Sequence, residues 1–244
     1  MRLADRRRSF LDLLRDPVAS VSHFLMAGVA VIATLFLLRS ARSNRTRRLS
    51  VLVFGLCTIA VYSASGLYHA LRLPPDELRF YQRLDMSAIY LMIAGTCTPV
   101  GGILLRGRFR AILLTGVWML ALVGIGSLWV GPKPDHAVLV GTYLGMGWFG
   151  MAGVWHYWRA TGWRGLSWAI AGGIFYTLGA AIELARWPIL VPGVIGSHEL
   201  LHFCDMAGTG CHIVFISKYV LPYSLLAESR QPEAATGFIL PAEA

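Results

Sequence analysis

His198 and His202 are separated by four positions in the string His198-Glu199-Leu200-Leu201-His202. On a helix this spacing stacks two imidazoles on one face, where both can grip a single metal ion. The string has the formal H-E-x-x-H pattern of soluble metalloproteases, whose Glu is a general base. Here it opens an apolar run, so only its two-donor metal signal is kept. A third donor must come from another part of the chain. His23, His69, Asp85, Glu183, Asp205 and His212 also fall within or at the ends of apolar runs, where an ionisable group is expensive. Taken singly, His23 and Glu183 read as interfacial or satisfied bundle residues, and His212 as a bundle hydrogen-bonding residue. Asp205 follows His202 by three positions on the same face, placed to hold an imidazole N–H.

The elements that must position these groups are long and apolar. The 244-residue chain is 56% hydrophobic and 14% charged, with a mean hydropathy of +0.58. Soluble domains carry about 25% charged residues. Apolar runs occur at about 19–38, 50–71, 84–105, 110–130, 136–155, 166–184 and 200–222, each close to the ~20 residues that cross a bilayer as a helix. Barrel strands would instead alternate every second residue. The expected fold is therefore all-α and integral to the membrane, a seven-transmembrane helix bundle. Residues 1–18 form a charged leader, 19–222 the bundle and 223–244 a polar C-terminal tail. The first run is too long for the core of a cleaved signal peptide.

The net charge of +9 does not point to nucleic acid. The arginines cluster in short connections between apolar runs (Arg39, Arg42, Arg45, Arg47 and Arg48; then Arg106, Arg108 and Arg110), where they meet lipid phosphates. No nucleic-acid reading module accompanies them. Cys57, Cys97, Cys204 and Cys211 form no CxxC pair and no disulfide framework. Basic residues divide almost evenly between the two faces, so charge alone does not orient the chain.

If the helices alternate in direction, the end of span 2, the start of span 3 and the start of span 7 share one face. His69, Asp85 and the His198/His202 pair sit at those three places. Ser65 precedes His69 by four residues, which puts its hydroxyl one turn deeper on the same helix face. It reads either as a helix Ser bonded to its own backbone or as a hydrogen-bond donor beside a metal-bound group.

Ser65-x3-His69, Leu84-Asp85-Met86-Ser87-Ala88-Ile89-Tyr90, Ala94-Gly95-Thr96-Cys97-Thr98-Pro99 and His198-Glu199-Leu200-Leu201-His202 together resemble the bacterial haemolysin III family, which is related to the progestin and adiponectin receptors. The resemblance runs from the first helix to the last. It implies a seven-helix fold with Zn²⁺ held by His69, His198 and His202, and with Ser65 and Asp85 near the zinc-bound water. Met86 stands where a His commonly follows the Asp in that family; that His is not among the implied ligands.

Three protein donors and one open position are the coordination of catalytic zinc, which lowers the pKa of water from 15.7 to about 7. Asp85 is then placed to orient that water or accept its proton. Three readings follow. The first is a zinc-dependent, ceramidase-like hydrolase acting on a lipid amide or ester. The second is a receptor-like or regulatory membrane protein whose zinc is structural. The third is a membrane-damaging cytolysin, which is physically awkward because apolar spans leave no soluble state. The resemblance implies a multi-pass protein of the bacterial inner membrane with a cytoplasmic N-terminus. Membrane lipids are the expected partners.

Overall fold

The computed structural model describes residues 13–41 and 44–223. Most of the expected leader and tail lies outside the described residues. What is described is helical apart from short connections and one antiparallel bridge between Val191 and Ile195. In chain order the helices are α1 (Pro17–Ser40), α2 (Arg45–Ala70), α3 (Pro75–Leu104), α4 (Gly107–Trp129), α5 (His136–Gly150), α6 (Val154–Ala185) and α7 (Ser197–Phe215).

Local sequence explains most helix starts. Asn44 caps α2 by accepting from the Arg47 N–H, and Asp135 caps α5 by accepting from the Ala137 N–H. Pro75 opens α3 with its ring at a position whose N–H needs no partner, and Asp76 and Glu77 suit the positive end of the helix. α3 begins well before the apolar run expected at 84–105. Hydropathy registers only the part that suits lipid, whereas the helix continues with its polar first turns. In α7, Glu199 accepts from the Gly196 N–H at 2.8 Å, so the Glu of the H-E-x-x-H string serves as a helix cap.

Among the described residues, six helical stretches are long and apolar enough to cross a membrane. The fifth is the run His136–Ala185, which joins two spans expected to be separate. The expected connection around Thr161–Gly165 is not an open loop. Only Gly162 leaves helical geometry there, at φ 66° and ψ −178°, a conformation open to a residue without Cβ. His136 and Glu183, from opposite ends of this run, lie 3.6 Å apart. The chain therefore doubles back within it.

The outward faces are apolar. Leu25, Ile32 and Val123 are each more than 60% exposed, on helices that in water would carry charge there. With the length and hydropathy of the helices, this makes the chain a multi-pass membrane protein. One buried apolar cluster (Leu37, Phe54, Leu105, Phe215 and Val220 among its members) seals the end of the bundle where α1 finishes and α2 starts. A second joins α3, α4 and α5 through Tyr90, Val117 and Met146. α2 and α3 approach closely at Gly95, where an added Cβ would lie 2.7 Å from the Cys57 Cβ. The buried histidines His23, His69 and His202 lie toward the opposite end.

Candidate metal centre

His69 lies in the last turn of α2, and His198 and His202 lie in the first two turns of α7. Tertiary packing brings their rings together. His198 Nε2 is 3.4 Å from His69 Nε2 and 3.1 Å from His202 Nε2, and all three nitrogens lie within 4.8 Å of one another. His69 and His202 are buried, while the His198 side chain is 43% exposed.

Two of the rings are held from behind. His69 Nδ1 is 2.9 Å from Asp16 Oδ2, and His198 Nδ1 is 3.4 Å from Glu183 Oε1. An ionised carboxylate can only accept, so each Nδ1 carries a proton, and in a neutral imidazole the Nε2 then presents a lone pair. Asp16 stands just ahead of α1. The His69 imidazole holds its carboxyl well below the usual range, to about 2, with Arg15 adding to the effect and partial burial opposing it. Asp16 therefore stays ionised at neutral pH. It occupies the N-cap position of α1 yet does not cap that helix, forgoing about 1 kcal/mol of local stabilisation in favour of His69. Main-chain bonds strap the segment over the end of α2: Asp16 N–H to His69 O at 3.0 Å and Arg15 N–H to Ala70 O at 3.3 Å.

This arrangement leaves the lone pairs of His69 and His198 facing each other. The His202 Nε2, if protonated, can donate to only one of them. A cation at the centre removes the repulsion, and nitrogens sharing a tetrahedral metal at 2.0–2.1 Å lie about 3.3 Å apart. The donor set thus fits a metal ion. Three imidazoles suit zinc, copper, iron or nickel.

The histidines stand at the polar end of a cavity of about 660 Å³, and Asp85 and Ser65 line the same cavity. The Ser65 hydroxyl faces the Asp85 carboxyl. Deeper, Tyr62 and Tyr176 meet at Thr209, their hydroxyl oxygens 2.6 and 3.0 Å from Thr209 Oγ1. The wall between is apolar, with Ile89, Met92, Ile93 and Leu144.

Some roles assigned from the sequence need correction. Asp205 was expected to hold an imidazole, but Asp16 and Glu183 do so. The backbone oxygen of Asp205 accepts from the Tyr62 hydroxyl at 3.2 Å. Glu183, read singly as a bland bundle residue, joins His198 and His136. Asp16 was missed because it lies in the charged leader, and no spacing rule links it to His69. His23, also read as bland, packs its ring on His202 with centroids 4.2 Å apart. His212 stacks on Tyr176 deeper in the cavity, at a centroid distance of 5.7 Å.

The profile of the family described as Haemolysin-III related matches residues 11–213. Hemolysin-3 of Bacillus cereus is 28% identical over 223 residues, covering 90% of this chain and 99% of the relative. A hemolysin-3 homolog of Bacillus subtilis (strain 168) is 30% identical over 204 residues, covering 78% and 93%.

Proposed function

The chain belongs to the haemolysin-III-related family of membrane proteins, and on that premise we propose that it is a zinc-dependent hydrolase of lipid amides or esters. The observation that carries this reading is the convergence of three Nε2 atoms at the polar end of a cavity that also holds Asp85 and Ser65. A volume of about 660 Å³ suits a small-molecule or lipid-sized ligand (sites commonly span ~300–1,000 Å³). We take the run His136–Ala185 as two crossings that reverse at Gly162, giving seven passes in the bacterial plasma membrane with the N-terminus cytoplasmic.

His69, His198 and His202 would hold the zinc, which when bound supplies Lewis-acid polarisation and makes water nucleophilic at neutral pH. Asp85 takes the proton that the attacking water loses and passes it to the leaving nitrogen or oxygen as the acyl bond breaks. Water is added across that bond, releasing a carboxylic acid and an amine or alcohol. Ser65 donates its one O–H to the Asp85 carboxylate and so orients it. The apolar wall takes the acyl chain.

A second reading has its own support. Asp16 and Glu183 tie the histidines to the segment ahead of α1 and to the end of α6, so a bound metal would also clamp the bundle in a receptor-like or regulatory protein. The haemolytic activity in the relatives' names describes those proteins, and a secreted cytolysin would need a soluble state that these apolar helices do not offer.

The deciding experiment is metal analysis of the purified protein, combined with turnover of long-chain ceramides, acyl amides and esters in proteoliposomes. About one zinc per chain with turnover of one of these classes supports the hydrolase. Full zinc loading without turnover across the panel favours the clamp.

A further inference from the structure

The outward nitrogen, Nδ1, of each triad histidine needs an orienting partner, and only two are answered. Asp16 meets that of His69 at 2.9 Å and Glu183 that of His198 at 3.4 Å. His202 Nδ1 is buried and has no hydrogen-bond partner among the described residues. The ring packed edge to face on His202 is His23, with centroids 4.2 Å apart and planes at 74°. His23 is 3% exposed, and both of its ring nitrogens are also buried without partners. The other ring beside it, Tyr62, commits its hydroxyl to Thr209 and the Asp205 backbone. Two imidazoles with unanswered nitrogens thus touch inside an apolar bundle, where an unpaired polar group is disfavoured.

We propose that His23 is the orienting partner of His202: in the metal-loaded protein a His23 ring nitrogen accepts the His202 Nδ1–H. It would do for this imidazole what Asp16 and Glu183 do for the other two. The inference rests on the metal reading above. Forming the bond requires the His23 ring to turn and shift outward from its present edge-to-face packing, because in-plane N–H···N pairing sets the ring centroids about 5 Å apart. Neutral imidazole carries one acceptor nitrogen and one N–H, so His23 still has a donor left, and it lines the cavity.

His23 is thus a positioning residue, and three proteins test it: the parent, His23→Phe and His23→Gln. Zinc affinity is measured by competition with a chromophoric chelator, and thermal unfolding is followed on the metal-stripped forms. Phe keeps a ring in place but removes both nitrogens. Its zinc affinity should fall about 10–100-fold, the usual cost of losing an outer partner, while the metal-free variant melts no lower than the parent. Gln offers an amide oxygen as acceptor and should recover affinity to within a few-fold of the parent. If His23→Phe binds zinc within about threefold of the parent, or if His23→Gln is as weak as His23→Phe, the proposal is overturned. A parent protein that binds no divalent metal at all would overturn the metal reading itself, and this inference with it.

Discussion

His69 Nδ1 lies 2.9 Å from the Oδ2 of Asp16, a residue 53 positions earlier in the chain. This bond places a carboxylate from the segment ahead of α1 directly behind one of the three converging imidazoles. It fixes the ring's tautomer and raises the basicity of the nitrogen on the other side. Asp16→Ala should therefore lower zinc affinity about 10–100-fold. α1 loses no cap, because Asp16 makes none, so helix content measured by circular dichroism should be unchanged. An Asp16→Ala protein that binds zinc like the parent would remove Asp16 from the site.

The triad itself is tested by substitution. His202→Ala should lose most of the bound zinc, and the triple replacement of His69, His198 and His202 by Ala should lose all of it. Elemental analysis of purified protein reads the outcome. Retention of stoichiometric zinc by the triple variant would mean the metal sits elsewhere.

Asp85 is proposed to act on protons and not on the metal, so the two functions should separate. Asp85→Asn should keep zinc bound while lipid-amide or ester turnover falls ~10²–10⁴-fold. Ser65→Ala should cost less, about 1.5–3 kcal/mol in transition-state stabilisation, as expected for a hydrogen bond to a charged group. Loss of zinc from Asp85→Asn would instead make Asp85 part of the metal-holding set.

Sidedness can be read by cysteine labelling in intact cells and inverted vesicles, using single cysteines in a background whose native cysteines are replaced. Positions 76 and 192 flank the α2–α3 and α6–α7 connections at the histidine end and should label from the same compartment. Position 45, at the start of α2, should label from the other. Labelling of 76 and 192 from opposite sides would contradict the reversal at Gly162 and an odd number of crossings.

Packing gives a prediction independent of chemistry. A Cβ at Gly95 would meet the Cys57 Cβ at 2.7 Å and its Sγ at 2.9 Å. Gly95→Ala should then destabilise the protein by about 1–3 kcal/mol through overpacking, seen as a lower melting temperature in detergent. The double variant Gly95→Ala/Cys57→Gly should recover part of the loss, since both the Cβ and the sulfur that the new methyl meets are then gone. An unchanged melting temperature in the single variant would show that α2 and α3 can separate at little cost.

The sequence by itself determined the solvent of this protein and half of its candidate site. Long apolar runs have nowhere to go but lipid, and backbone groups in lipid must pair within helices. The His198/His202 pair is legible because i,i+4 spacing is a local property of one helix. Helix parity even placed His69 and Asp85 at the same end, since direction alternates whatever the packing. Parity cannot say which side chains touch. Asp16, Glu183 and His23 meet the triad only because α1, α6 and α7 pack as they do, across separations that no local pattern encodes. The break between the two apolar runs within His136–Ala185 is legible too, in the glycines around position 162. Its form is not: a single non-helical residue, Gly162, and the meeting of His136 with Glu183 are set by backbone geometry and packing.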